Sequence, residues 1–378
     1  MTQAPPTHRI PLFKVFMPET VMPSLQATLF SGYIGEGPRT AQFERELGEW
    51  LGVPTVVAVN SGTAALHLAL RLAGVGPGDE VISTPQTCVA THSPILSLGA
   101  RVVWADIDPW TGNISVEDVA KKCTARTKAI MAVHWGGLPC DLTELKQVAR
   151  QWNIPLIEDA AHALGSEYQG RRIGCHADFV CFSFQAIKML TTGDGGALVC
   201  RAVEDDRRAR RLRWFGLGRN PVGHGECRWE QAIHEHGYKF HMNDIAATIG
   251  CEQLRYLDAN VARHQAHAAI YDDVLRGFRR LRPLRQSSDR RSAHWLYTIR
   301  TTERAAFIAH MHAAGIETSR VHVRNDRYPI FAASACDGLA GVAAFDAEQV
   351  SIPCGWWLNE TDVNTIVAAL RQFEEATT

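Results

Sequence analysis

The chain has 378 residues and a mass of 41.8 kDa, which is more than one hydrophobic core usually organises. We therefore expect two domains, or one large α/β unit with an appendage. The 39 Lys and Arg residues balance 40 Asp and Glu residues, so no charge excess favours nucleic acid or an anionic membrane surface. No apolar run reaches the roughly 18 residues of a membrane span or resembles a signal peptide, so we expect a cytoplasmic protein.

Ten cysteines are scattered between Cys88 and Cys354. They form no CxxC pair and no Cys/His spacing suited to zinc, and the chain is too long to need disulfides for stability. The sequence therefore predicts reduced, mostly buried thiols and no metal site.

Short apolar runs rich in β-branched residues alternate with helical patterns in the N-terminal half. They occupy residues 55–60, 80–85, 101–107, 128–134, 155–160, 179–184 and 196–200. Continuous apolar runs are typical of strands that helices cover on both faces. This pattern predicts an α/β fold built on a mostly parallel sheet.

Two of the intervening segments show clear helical periodicity. Residues 63–73 place Leu66 and Leu70 on one face, and residues 141–152 begin with Asp141. We expect Asp141 to cap the N-terminus of its helix, because aspartate accepts hydrogen bonds from free backbone N–H groups there.

The strand and helix alternation fades after residue 201. A charged helical pattern at 204–215 leads into a Gly, Arg and His-rich segment at 216–237, which is too long for a simple connection. The remaining helical and apolar segments predict a smaller α+β domain; they are 243–257, 258–278, 295–300, 304–315 and 363–376. We place a large domain at 1–255, with an N-terminal arm, and a small domain at 256–378.

Polar residues follow several predicted strands, at the edge of the sheet where ligands of open α/β folds bind. Ser61, Gly62 and Thr63 come between the first strand and a helix, where free N–H groups could hold a phosphate. The same residues would also make a good structural cap, and the segment alone leaves both interpretations open.

A carboxylate and a lysine follow two later strands. Asp159 lies near the end of the apolar run at 155–160, Ser183 near the end of the run at 179–184, and Lys188 shortly after that run. Taken singly, Asp159 could cap a helix and Lys188 could be a solvated loop residue. Together with a phosphate cradle, they are the three groups that pyridoxal phosphate (PLP) requires: an imine-forming lysine, a carboxylate for the pyridine nitrogen and a phosphate site.

Over nearly its whole length the chain resembles the sugar aminotransferases of the DegT/DnrJ/EryC1/StrS family. The matching segments are SGYIGEGPRTAQFERELGEWLG, VNSGTAALHLAL, GDEVISTP, HWGGLPCDL, IEDAAHALGSEYQGRRIG, FSFQAIKMLTTGDGGAL and GYKFHMNDIAATIGCEQL. The resemblance implies the PLP-dependent transferase fold of type I, with a mostly parallel seven-stranded sheet in the large domain and a smaller α+β C-terminal domain.

The resemblance also implies roles for individual residues. Lys188 corresponds to the lysine that binds the cofactor as a Schiff base and moves protons, and Asp159 to the carboxylate at the pyridinium nitrogen. Ser183 and the turn Gly62, Thr63 and Ala64 correspond to the phosphate contacts. Members are typically homodimers, in which the partner completes each site from the segment represented here by GYKFHMND.

Three positions depart from the family pattern. Cys88 stands where many members stack a phenylalanine on the ring. His162 replaces a common glutamine, and could stack on the ring or bond its phenolic oxygen. Lys239 replaces an asparagine that often reaches the partner's phosphate, an anion that a lysine can also attract.

The implied function is transfer of an amino group, from glutamate in the first instance, to a keto sugar, with nucleotide-linked keto-deoxysugars as the leading acceptors. A few relatives with histidine at the lysine position are dehydratases, so Lys188 favours transamination. A PLP- or sugar-sensing regulator is the second alternative, against which the intact set of site residues argues. A dehydrogenase is disfavoured because no GxGxxG follows the first strand.

Substrate contacts are expected in the segment at 318–331, where the small domain would close over the site. Arg320, His322 and Arg324 could meet a phosphate, a sugar or a donor carboxylate, although a solvated basic turn would have the same composition. Trp135 and Trp214 could form a sugar platform or a dimer contact, but packing is the simpler role for both.

Overall fold

The computed structural model describes residues 9–218 and 231–376. Most of the long segment predicted at 216–237, including Cys227, lies outside the described residues. The helices are α1 Val21–Leu29, α2 Pro38–Leu51, α3 Gly62–Leu72, α4 Ser93–Ser97, α5 Val116–Lys122, α6 Leu142–Gln151, α7 Val203–Leu212, α8 Asp244–Leu254, α9 Leu257–Leu275, α10 Arg304–Ala313, α11 Ala340–Glu348 and α12 Glu360–Glu375.

The strands are β1 Val57–Val59, β2 Glu80–Ser83, β3 Arg101–Trp104, β4 Thr127–Val133, β5 Leu156–Asp159, β6 Glu167–Tyr168, β7 Arg171–Arg172, β8 Phe179–Ser183, β9 Gly196–Cys200, β10 Arg282–Pro283, β11 Arg290–Arg291, β12 Tyr297–Arg300 and β13 Gln349–Ile352. Each of the seven apolar runs predicted as strands coincides with one strand of the main sheet, with bounds that agree to within a few residues.

The main sheet has the strand order β1-β9-β8-β5-β4-β2-β3. Strand β9 is antiparallel to both of its neighbours, and the other pairs are parallel. The predicted α/β class with a mostly parallel seven-stranded sheet is therefore confirmed. Because β1, β5 and β8 point the same way, the residues that follow them meet at one edge of the sheet.

Two smaller sheets accompany the main one. Strands β10, β12 and β13 form an antiparallel sheet, and β11, β6 and β7 form another. A second hydrophobic cluster joins Ile10 of the N-terminal arm to side chains between Ala268 and Phe373. Phe331 and Phe345 pack instead into the core of the main sheet, so the segment after β12 contributes to both clusters.

The prediction that the Asp141 side chain caps α6 is wrong. The apolar face of the helix is buried as expected, but the Asp141 carboxylate makes no capping hydrogen bond. It forms an ion pair with Arg290 at 2.8 Å, and the Arg290 side chain is only 9% exposed. A guanidinium held at the protein interior attracts a carboxylate more strongly than a neutral backbone N–H does, which explains the choice.

The cysteines of the described residues are free thiols, as predicted. Most are buried, whereas Cys88 and Cys175 are partly exposed and Cys336 is exposed. Within the described ranges, no helix combines the length and the apolar character that crossing a membrane requires.

A close contact between backbones joins the sheet to the start of α3. Gly196 of β9 pairs with Val59 of β1, and a Cβ atom at Gly196 would lie 2.5 Å from the carbonyl of Ser61. Only glycine fits there without moving the turn at 61–63.

We expect Gly196→Ala to destabilise the protein by about 1 to 3 kcal/mol, because the added methyl group overlaps backbone that cannot yield. Gly76→Ala is the matched control, since a Cβ at Gly76 meets nothing within 4 Å. Urea unfolding of both variants measures the effect, and equal free energies of unfolding would refute the close-contact explanation.

Candidate active site

A cavity of about 480 Å³ lies beyond the carboxyl ends of β1, β5 and β8. Its lining includes most of the predicted site residues: Gly62, Thr63, Cys88, Asp159, His162, Ser183, Lys188 and His322. Apolar side chains complete the walls, among them Leu12, Phe13, Leu66, Val133, Ile187, Trp295 and Val321. The sheet topology thus brings together residues that are far apart in sequence.

The start of α3 forms one end of the cavity. Ser61 caps the helix, its Oγ accepting a hydrogen bond from the Ala64 N–H at 3.0 Å. The N–H groups of Gly62 and Thr63 precede the first intrahelical bond, so they are available to an anion. A Cβ at Gly62 would lie 2.8 Å from the Cβ of Ser183, so glycine allows the turn to approach the end of β8.

Asp159 is buried at the end of β5. Its Oδ2 accepts a hydrogen bond from the Thr91 hydroxyl at 2.7 Å, and its Oδ1 accepts one from the Ala161 N–H at 3.1 Å. Burial raises the pKa of Asp159, and these two hydrogen bonds and the nearby Lys188 oppose the rise.

Lys188 follows β8 and brings its amine into the same cavity. Removal from bulk water lowers the pKa of Lys188 to about 8, although the charge of Asp159 favours its protonated form. A lysine with such a pKa has a substantial neutral fraction near physiological pH, as a nucleophilic amine requires. The Nζ lies 3.6 Å from the centroid of the Trp295 ring.

Aromatic rings stack along one wall of the cavity. Trp295 stacks on His162 with 3.9 Å between ring centroids, and His322 lies parallel to His162 at 5.4 Å. Phe13, from the N-terminal arm, also stacks on Trp295, with 5.3 Å between the ring centroids. We call these four rings the Trp295 stack.

Both histidines of the stack are neutral near pH 7. Burial lowers the pKa of His322 to about 4 and that of His162 well below its usual value, and the charge of Lys188 adds to both effects. The Nδ1 of His162 and the Nε2 of His322 are buried without a hydrogen-bond partner in the described part of the chain. These atoms are therefore suited to polar groups of a bound molecule.

Four of the predicted site residues do not line this cavity. Arg320 pairs with Asp346 at 3.2 Å, and Arg324 pairs with Asp326 at 2.5 Å. The structure thus gives both arginines carboxylate partners within the chain. Ala64 contributes its N–H to the Ser61 cap, and the carbonyl of Lys239 accepts a hydrogen bond from the Asn60 amide at 3.2 Å.

Asn325 fastens the segment that carries His322 to the loop after β2. Its N–H donates to the Pro85 carbonyl at 2.8 Å, and its Nδ2 donates to Cys88 O at 3.2 Å and His92 Nδ1 at 2.8 Å. The same loop bears Thr91, the partner of Asp159. Asn325 therefore helps to fix the position of the His322 segment relative to the loop after β2.

His134 is a packed residue behind the cavity. Its Nδ1 accepts a hydrogen bond from the Cys140 N–H at 3.1 Å, so its Nε2 carries the proton that bonds Glu158 at 2.8 Å. Both side chains are fully buried. Glu158, adjacent to Asp159, is thus occupied in the core and does not compete for a ligand.

Comparison with known proteins identifies the family. Residues 17–371 match the model of the DegT/DnrJ/EryC1/StrS aminotransferase family. The chain belongs to this family. The predicted family, fold and aminotransferase activity are thereby confirmed.

Relatives of the DegT/DnrJ/EryC1/StrS family match over most of the chain. GDP-perosamine synthase of Caulobacter vibrioides is 35% identical over 339 residues, 88% of this chain and 89% of the relative. The sugar aminotransferase CalS13 of Micromonospora echinospora is 38% identical, covers 96% of this chain and 99% of its own, and has a TM-score of 0.91. The PLP form of Spr1654 from Streptococcus pneumoniae is 30% identical, with coverages of 97% and 99% and a TM-score of 0.89.

We expect Thr91→Val to shift the acidic limb of the aminotransferase pH profile upward by roughly one to two pH units. We expect Asp159 to act as a carboxylate, so that activity falls as pH drops through its pKa, and loss of the Thr91 hydrogen bond would raise that pKa further. Thr91→Ser keeps the hydroxyl and is the control. Superimposable profiles for wild type and Thr91→Val would show that this bond does not act on Asp159.

Proposed function

We propose that this aminotransferase binds PLP in the cavity and moves an amino group from an amino acid to a keto sugar. Glutamate is the proposed donor and a nucleotide-linked keto-deoxysugar the proposed acceptor. One observation carries the proposal: the amine of Lys188, the carboxylate of Asp159 and the N-terminus of α3 line a single cavity.

The residues fit PLP in size and charge. The glycine at position 62 leaves a cradle that a Cβ would fill, and Ser183 lies beside it, so we assign the phosphate to this corner. Asp159 would face the pyridine nitrogen and Lys188 the aldehyde carbon. His162 and Cys88 are the described residues that we assign to the faces or the phenolic oxygen of the ring.

When bound, PLP carries the amino group between substrates and takes up the electron pair released at the substrate carbon. Lys188 supplies a neutral amine for covalent attachment and, once released, carries a proton between substrate and cofactor carbons. Asp159 keeps a negative charge near the ring nitrogen and so favours its protonated form. The apolar walls exclude water and strengthen these electrostatic interactions.

The cavity also fits a sugar acceptor. The partnerless nitrogens of His162 and His322 can bond hydroxyl groups, while the apolar walls suit a carbon that has lost its hydroxyl. The name of the Caulobacter relative, GDP-perosamine synthase, supports a nucleotide-linked sugar. Arg320 and Arg324, which we expected among the substrate contacts, each pair with a carboxylate within the chain, so we do not include them in this proposal.

Two other functions fit the same fold less well. A PLP-dependent sugar dehydratase would need no lysine for covalent return of the cofactor, whereas Lys188 lies in the cavity beside Asp159. A PLP- or sugar-sensing regulator would need no proton carrier. No feature of the described residues favours either function over transamination.

We expect the protein with added PLP to show a visible absorption band from covalent attachment, and glutamate to convert that band to the pyridoxamine phosphate spectrum. Lys188→Ala should bind PLP without this band and lose at least about 1,000-fold in turnover, since it lacks both nucleophile and proton carrier. Lys146→Ala is the control, because Lys146 does not line the cavity and its amine bonds the His176 carbonyl instead.

Each outcome of that titration has a definite meaning. Conversion by glutamate supports the first half of transamination with that donor. A band that no amino acid converts would favour the dehydratase or the sensor, and absence of a band in the wild-type protein would refute the role given to Lys188.

We further propose a homodimer with shared active sites. Apolar side chains are exposed on α1 and the loop after it, with Met22 71% and Phe30 84% accessible, and Tyr33 and Ile34 continue the surface. Such a patch is typical of a protein interface. In this arrangement Lys239 would reach the phosphate in the partner's cavity.

We expect Lys188→Ala and Lys239→Ala to be impaired separately and to complement each other after mixing. Half of the re-formed dimers would hold one intact site, so activity would recover to roughly a quarter of the wild-type value. Equal losses before and after subunit exchange, verified by mass spectrometry of the intact dimers, would contradict shared sites.

A further inference from the structure

We propose that Trp295 is a positioning residue for Lys188: its ring face holds the free amine inside the cavity whenever Lys188 is not covalently attached. This inference rests on the proposed function, because only a PLP-dependent reaction releases Lys188 and then requires it again. No local sequence pattern marks Trp295, because a tryptophan beside an apolar strand is typical of an ordinary core residue.

Two contacts connect Trp295 to the lysine. The Lys188 Nζ lies 3.6 Å from the centroid of the Trp295 ring, within the range of a cation–π interaction. The Trp295 Nε1 donates a hydrogen bond to the Ile187 carbonyl at 2.8 Å, and Ile187 immediately precedes Lys188. The ring therefore contacts both the charged end of the lysine and the backbone beside its Cα.

Trp295 is itself held firmly. It is 4% exposed, and Phe13 and His162 stack on it, at 5.3 Å and 3.9 Å between ring centroids. The neutral His162 adds no charge that would repel the ammonium group. A ring fixed in this way can fix what lies on its face.

A free lysine needs such support for a physical reason. Its side chain has four rotatable bonds, and its strongly hydrated ammonium group is more stable in water than between apolar walls. The amine would therefore spend much of its time outside the cavity unless an attraction inside compensated. The Asp159 carboxylate attracts the ammonium group, but in the proposed function this carboxylate pairs with the ring nitrogen of PLP. The Trp295 face provides attraction without forming a bond that must later break.

The experiment compares Trp295→Leu, which removes the ring, with Trp295→Phe, which keeps a ring face but loses the hydrogen bond to Ile187. Trp104→Phe is the matched control, because Trp104 is buried outside the cavity. If Trp295→Leu does not fold, Trp295→Met replaces it as a ringless side chain that is longer and more flexible. Far-ultraviolet circular dichroism checks the fold of each variant.

The first readout uses PLP-free protein. The initial rate of covalent PLP uptake is measured across pH, and its midpoint reports the titration of Lys188 amid the other ionisable groups of the cavity, which are Asp159, Asp194, Cys88, His162 and His322. Since the ring face stabilises the ammonium form, its removal should lower the midpoint by roughly half to one and a half pH units.

The second readout measures proton transfer by the free lysine. Exchange of the α-hydrogen of glutamate for solvent deuterium, measured by NMR, requires a proton carrier at the substrate carbon. We expect Trp295→Leu to lower this exchange rate by about 10-fold or more. Trp295→Phe and the Trp104→Phe control should stay within about 3-fold of wild type, because each keeps a ring face under Lys188.

A shift of both readouts in the ringless variant alone supports the inference. Wild-type values in the ringless variant, or equal losses in Trp295→Phe and Trp295→Leu, would overturn it, since the ring face would then not be the cause. Failure of the wild-type protein to take up PLP covalently is a different result. It would refute the proposed function and leave no free lysine for Trp295 to position.

Discussion

Two ionisable groups of opposite charge share an apolar cavity, and this constraint organises the rest of the site. Partial burial of Lys188 and full burial of Asp159 reduce their contact with the water that normally solvates their charges. Burial consequently lowers the pKa of the amine and raises that of the carboxylate, so the amine gains a neutral fraction near neutral pH, whereas the carboxylate depends on its hydrogen bonds to stay ionised. The Thr91 hydroxyl and the Trp295 ring then act on these two groups, one on each.

The fold supplies this arrangement through the direction of its strands and through two close approaches. Parallel β5 and β8 deliver Asp159 and Ser183 to the same edge, and Lys188 follows a few residues later. Gly196 lets β9 lie against the turn at 61–63, and Gly62 lets that turn approach Ser183. The shape of the cavity thus depends on two positions where no side chain fits.

Much of the fold and part of the site can be predicted from the sequence. Continuous apolar runs identify the strands of the main sheet, because burial on both faces leaves a local signature. Asp159, Ser183 and Lys188 are recognisable because the first two end such strands and the third comes shortly after one. The division of the chain after residue 255 stays a prediction, as do the individual roles of the site residues.

The features that sequence reasoning missed depend on contacts between distant segments. Asp141 is a good helix cap by local rules, but Arg290, far along the chain, is a better partner. Thr91, Trp295 and Asn325 act on residues more than sixty positions away, so no local pattern marks them. For Arg320 and Arg324 the sequence left a substrate contact and a solvated turn both open, and it gave no sign of the carboxylates that pair with them in the fold.

The central claim is that the Lys188 amine is the point of covalent attachment for PLP, and borohydride trapping tests it most directly. The protein is mixed with PLP, reduced to make any bond to a lysine permanent, digested and examined by peptide mass spectrometry. The account predicts one modified peptide, with the added mass on Lys188. Modification spread over other lysines, with Lys188 unmodified, would contradict it.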